Sequence, residues 1–124
     1  MRCDFSTATL PPGFRWLNEP KTWRVDCGLH VQTDPATDFW QRTHYGFQRT
    51  DGHALLTPVK GDFAVETAVE FTALTRYDQC GLLAWVNGEN WIKCSIEWET
   101  PALSRLGSVV TNQGWSDWAT QDVP

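Results

Sequence analysis

Basic charge is scarce in this chain. Lys and Arg number 10 against 15 Asp and Glu, for a net charge of −5. Binding to phosphate backbones runs on clustered Lys and Arg, so no nucleic-acid partner is expected. Long apolar runs are also missing. None approaches the roughly 18–20 residues of a membrane-spanning helix, so no membrane partner is expected either. The N-terminus, Met1-Arg2-Cys3-Asp4-Phe5-Ser6, has no apolar stretch of the secretory kind, since Asp4 stands where that stretch should begin. The corresponding expectation is a cytoplasmic location. Gly-rich phosphate loops and a Gly-x-Ser-x-Gly elbow do not occur. The cysteines are Cys3, Cys27, Cys80 and Cys94, with no C-x-x-C pair, and His30, His44 and His53 are the only histidines. That set lacks zinc-site spacing, and without an export signal the thiols read as free. No Asp-rich loop suggests calcium. Neither a cofactor nor a metal is expected.

Tryptophan is abundant, at 8 in 124 residues, and apolar residues make up 41%, too many for a disordered chain. Aromatics of this bulk build cores in small domains, and they also line sites for cyclic ligands such as sugars. No repeat, low-complexity tract or linker interrupts the chain, so residues 1–124 read as one domain.

Helical periodicity is almost absent, and period-two alternation recurs between turn signals, which predicts an all-β domain. The clearest strand is Asp62–Ala73, with Phe63, Val65, Val69 and Phe71 on one face and Ala64, Glu66, Ala68 and Glu70 on the other. Other predicted strands are Trp23–Val25, Leu29–Thr33, His53–Pro58, Gln79–Val86, Trp91–Glu99, Ser108–Asn112 and the segment Trp115–Trp118. Asn87-Gly88-Glu89-Asn90 is a strong hairpin signal. With an even loop there, Leu83, Trp85, Ile92, Cys94 and Ile96 share a core face. Asp78, Cys80, Leu82, Ala84, Trp91, Lys93, Ser95, Glu97 and Glu99 share the other, which carries charge at one end and Trp91 at the other.

Candidate chemistry gathers on that second face. Glycoside hydrolysis needs two carboxyl groups about 5–10 Å apart. Glu66 and Glu70 lie about 13 Å apart along a strand, whereas Glu97 and Glu99 lie about 6.6 Å apart. Asp78 could join them across the hairpin, making Glu97, Glu99 and Asp78 the one trio with acid/base spacing. Alternating Glu on an exposed strand is common, so the residues favour binding over catalysis. Thr37–Phe47 mixes aromatic and polar groups around Trp40, and Trp115-Ser116-Asp117-Trp118 repeats the mixture. Such clusters suit either a binding rim or hairpin packing.

Six blocks in order resemble one family. They are Trp16-Leu17-Asn18-Glu19-Pro20; Thr37-Asp38-Phe39-Trp40 with Tyr45-Gly46-Phe47 and Gly52-His53; Tyr77-Asp78-Gln79-Cys80-Gly81-Leu82; Asn90-Trp91-Ile92-Lys93; Ile96-Glu97; and Ser108-Val109-Val110-Thr111-Asn112 with Ser116-Asp117-Trp118. The family is that of the yeast regulation-of-enolase protein and its bacterial relatives, a domain of unknown function. The resemblance implies an antiparallel jelly-roll β-sandwich of the concanavalin-A-like lectin and glucanase type. It also implies a cytoplasmic protein linked to control of enolase, and no established enzyme activity. The family's shared polar residues correspond to Asn18, Glu19, Asp38, Tyr77, Asp78, Gln79, Lys93, Glu97, Asn112 and Asp117. The Glu-x-Asp-x-x-Glu pattern of the β-glucanases is absent; the stretch reads Glu97-Trp98-Glu99-Thr100-Pro101. Relatives run past Pro124, so a sandwich without its C-terminal strands is expected, with exposed sheet edges open to self-association.

The resulting expectation is a non-catalytic domain that binds a carbohydrate-like or small polar ligand through Asn18, Glu19, Asp38, Trp40, Tyr77, Asp78, Gln79, Trp91, Lys93, Glu97, Asn112 and Asp117, with Trp91 stacking. The alternatives are an interaction module acting on a metabolic enzyme such as enolase, and a hydrolase using Glu97 with Glu99 or Asp78.

Overall fold

A computed structural model of the chain describes residues 3–44 and 46–123. It is all-β, and no helix occurs among the described residues. Antiparallel pairing runs through both units, in keeping with a β-sandwich. Two compact units divide the chain, Met1–Phe39 with Arg49–Phe63, and Trp40–Gln48 with Ala64–Pro124.

In the first unit, β1 (Arg15–Leu17) pairs with β6 (Ala54–Leu56), and β2 (Thr22–Val25) pairs with β3 (Leu29–Gln32). The β2–β3 turn rests on Cys27, whose φ is 48°, and on a bond from the Asp26 N–H to the Gly28 carbonyl. Val25 and Phe39 are buried here, and a Cβ on Gly52 would lie 2.5 Å from the Phe39 ring, so only glycine admits that close approach. A short ribbon pairs β4 (Phe39–Gln41) with β5 (Gln48–Thr50).

The second unit carries a four-stranded meander of β7 (Gln79–Asn87), β8 (Asn90–Thr100), β9 (Leu103–Asn112) and β10 (Trp115–Val123), in the spatial order β10-β9-β8-β7. Local turn chemistry sets it up. The Asn87 side chain accepts the Glu89 N–H at 2.9 Å and closes the β7–β8 hairpin. Gln113 and Gly114 have φ of 50° and 75°, the left-handed pair that a two-residue hairpin requires.

Register corrects the predicted faces. A bulge between Trp85 and Asn87 inserts one residue, so Trp85 stands opposite Trp91, Leu83 opposite Lys93 and Gly81 opposite Ser95. Leu82 and Ala84 instead stand opposite Cys94 and Ile92. One extra residue moves every β7 side chain to the other face of the sheet. Burial is also reversed. Trp91 is 2% exposed, and Val109, Thr111 and Ser116 on the same face are buried, whereas Ile92 on the expected core face is 46% exposed. Within this unit, the segment from Trp40 lies over the buried end. The Gln41 N–H donates to the Ser116 hydroxyl at 2.9 Å, Arg42 donates to the Gly114 carbonyl at 2.8 Å, and the Trp40 and Trp118 rings meet edge-on.

The predicted strand Asp62–Ala73 is a second correction. It belongs to no sheet, and Phe63 and Val65 are more than half exposed. Alternation gives a strand its faces, but a strand forms only where a neighbouring backbone completes the ladder.

Candidate functional site

The more buried face of the β7–β10 sheet is built of four cross-strand rows. Trp85, Trp91, Thr111 and Ser116 form the first, and Leu83, Lys93, Val109 and Trp118 the second. Gly81, Ser95, Gly107 and Thr120 form the third, and Gln79, Glu97, Arg105 and Asp122 the fourth. A row of small residues therefore separates Lys93 from a row of amide, carboxylate, guanidinium and carboxylate. Lys93 and Glu97 lie about 13 Å apart along β8, with the row of small residues between them. Neighbouring atoms crowd the two glycines of this row. A Cβ on Gly81 would collide with the Cys94 carbonyl, and one on Gly107 would lie 3.2 Å from the Trp118 indole nitrogen.

The polar row is internally organised. The Gln79 amide donates to the Glu97 carboxylate at 3.5 Å and accepts from the Ser95 hydroxyl at 3.2 Å, which fixes its flip. Arg105 stands opposite Glu97 and lies 3.5 Å from the Asp122 carboxylate. Lys93, Glu97 and Arg105 are half-buried, so their charges sit where solvent screens them less than at an open surface.

Of the sequence-predicted residues, Gln79, Lys93, Glu97 and Trp91 share this face. Trp91 does so as a covered side chain, only 2% exposed, which offers no open ring to stack on. Trp40 is likewise buried, and its indole N–H donates to the Thr43 carbonyl at 2.8 Å. Asn112 and Asp117 occupy the opposite face by register, beside Val110. Asp117 accepts the N–H of Trp118 there. The Asp78 carboxylate accepts the N–H groups of Leu74 and Thr75 and so closes the loop before β7. Tyr77 is exposed, in a left-handed conformation with φ 77°, and Arg76 lies over its ring at 4.7 Å.

Asn18, Glu19 and Asp38 belong to the other unit, where each ties backbone or ring. Asn18 donates to the Thr50 and Gly52 carbonyls at 2.6 and 2.9 Å, Glu19 accepts from the Trp23 indole, and Asp38 accepts the Phe39 N–H. Glu99 is 7% exposed and ion-paired with Arg76, whose guanidinium is pushed above its ordinary value chiefly by that hydrogen bond. Asp78 and Glu99 are thus committed elsewhere, leaving Glu97 as the trio's one carboxylate in the polar row. Arg105, Thr120 and Asp122 were not singled out from the sequence. Period-two alternation along Arg105-x-Gly107-x-Val109-x-Thr111 was the signal for Arg105.

Among the described residues, no group of three or more His, Cys, Asp or Glu side chains is placed to hold a metal ion. Among the same residues no helix is long and apolar enough to cross a membrane.

Comparisons with known proteins bear on the family and the fold. Regulation of enolase protein 1 of Saccharomyces cerevisiae (strain ATCC 204508 / S288c) is 38% identical over 106 residues, which is 85% of this chain and 52% of the relative. A crystal structure of a functionally unknown protein from Saccharomyces cerevisiae superposes with a TM-score of 0.66 at 32% identity, over 88% of this chain and 58% of that one. The chain therefore spans about half the length of the proteins it matches. The sequence pattern of a family described as a protein of unknown function (DUF1349) matches residues 16–124, and the chain belongs to that family.

Proposed function

We propose that the face bearing Lys93 and Glu97 is a non-catalytic binding surface for a carbohydrate-like or other small polar ligand. The ligand lies over the row of Gly81, Ser95 and Gly107. The observation that carries this reading is the register, which sets Gln79, Glu97 and Arg105 side by side along one wall and Lys93 on the other. Donors and acceptors of fixed orientation on both sides of a row of small residues suit hydroxyl groups, each of which donates one hydrogen bond and accepts others. Glu97 and Gln79 receive and donate along one edge of the ligand, and Lys93 donates along the other.

Calorimetry with a panel of neutral and acidic glycans at millimolar concentration tests the reading. One sugar class gives saturable heat, and Lys93→Ala and Glu97→Gln each weaken it about tenfold, the loss of one charge-assisted hydrogen bond. No heat from any glycan ends the sugar version.

A second reading rests on the yeast relative, whose name links it to regulation of enolase. In this reading the chain is a cytoplasmic interaction module for a metabolic enzyme. Used as bait in a cell lysate, it then enriches one enzyme, and Lys93→Ala leaves the enrichment unchanged.

A further inference from the structure

Within the second unit, residues 64–73 run without a turn or bend and belong to no sheet. Residues 64–72 are exposed, and Ala73 is half-buried. Their backbone N–H and carbonyl groups form no hydrogen bond with another described residue. The segment therefore presents about 33 Å of open ladder. Its side chains alternate, with Val65, Thr67, Val69 and Phe71 on one side and Ala64, Glu66, Ala68, Glu70 and Thr72 on the other. Val65, Val69 and Phe71 are 55%, 40% and 39% exposed. No Lys or Arg occurs between Lys60 and Arg76, and Glu66 and Glu70 are the segment's only charges. Neither carboxylate is ion-paired with a described residue. An unpaired extended backbone is a template for another strand.

We propose that residues 64–73 are a strand-addition site for an extended segment of a partner protein in which apolar residues alternate with Lys or Arg. Charge selects this occupant. A strand laid alongside sets one residue directly opposite each glutamate, where an opposite charge stabilises the pair and a like charge destabilises it. Glu66 and Glu70 stand about 13 Å apart on one side, so the partner's basic residues recur four positions apart. Its apolar residues then meet Val65, Val69 and Phe71 on the other side. A second copy fits poorly by the same rule. In every antiparallel register that overlaps the glutamates and keeps the sides aligned, a Glu66 or Glu70 stands opposite or diagonal to one from the other copy. The net charge of −5 also favours a basic partner during approach. Backbone bonds supply the affinity and the alternating side chains the specificity. A two-stranded ribbon is marginal in water, so the association is weak and reversible. No residue of the Lys93–Glu97 face takes part.

The test is amide hydrogen exchange, read by NMR on the full isotope-labelled chain, with two synthetic peptides of the same length as the site. One alternates valine or threonine with lysine, and the other carries glutamate in place of each lysine. In the free chain the amides of residues 64–73 exchange without protection. The lysine peptide slows alternate amides of the segment about tenfold or more at saturation, because one edge of a strand bonds every second residue. The glutamate peptide binds about tenfold more weakly or less. In the chain carrying both Glu66→Lys and Glu70→Lys the preference reverses, with circular dichroism unchanged. Protection of these amides in the free chain overturns the proposal, and a two-copy mass beside it makes a second copy the occupant. Protection by neither peptide, equal protection by both, or a lysine preference that survives the charge exchange also overturns it. If the exchanged chain loses its fold, the choice of the unaltered chain between the two peptides decides alone. Calorimetry with glycans reads the Lys93–Glu97 face separately, so the two readings fail independently.

Discussion

Asn18 shows how much of this chain's polar chemistry is structural. Its φ is 55°, in the region that asparagine tolerates better than other side chains, and its amide bonds two carbonyls of the β5–β6 connection. Asn18→Ala loses both bonds and strains the backbone, at a cost of about 2–3 kcal/mol. Asn18→Gly loses the bonds without the strain and costs about 1 kcal/mol less. Urea midpoints of the two variants separate these contributions. His53 works beside it. Its Nε2 accepts the Asp34 N–H at 3.0 Å, so the proton sits on Nδ1 and is donated to the Asn18 carbonyl at 2.6 Å. Asp51 carries a pH dependence. The Asp38 N–H, aided by Arg49, holds its carboxyl below the ordinary 3.8. The folded chain therefore binds this proton less readily than the unfolded chain. The contribution is complete above the unfolded value and disappears as pH falls through the folded one. Thermal melts below about pH 4 should accordingly fall less steeply for Asp51→Asn than for the unaltered chain.

At the scale of elements, a single bulge decides what the sequence could reveal. The alternation along β8 is plain in the sequence, and it places Lys93 and Glu97 on one face as expected. Which β7 residues join them depends on one inserted residue near Asn87, and side-chain pattern carries no count of it. Arg105 and Asp122 reach the polar row only through cross-strand register. Asn112 and Asp117 fall on the other face for the same reason. The segment 62–73 has the chain's strongest alternation and yet pairs with nothing, because pairing is supplied by a neighbour and not by the strand itself. Substitutions separate the two cases. Trp91→Ala removes a fully covered indole and lowers stability by about 3–5 kcal/mol, whereas Phe63→Ser, at an exposed position, changes it by less than about 0.5 kcal/mol. Denaturant unfolding of both variants checks the contrast.

Over the molecule as a whole, charge and apolar surface are segregated by the two sides of one sheet. One side gathers the ionic and amide groups of β7, β8 and β9 around a row of small residues, and the other is uncharged across the same strands. Backbone amides in that row report on this division without any substitution. Titration of the isotope-labelled chain with the sugar class that gives heat, followed by amide NMR, reads it residue by residue. The account predicts that shifts concentrate at Gly81, Ser95 and Gly107, with the Gln79 and Arg105 side chains following. Shifts confined to Ile92, Leu106 and Val110, or spread without pattern over both sides, would contradict it.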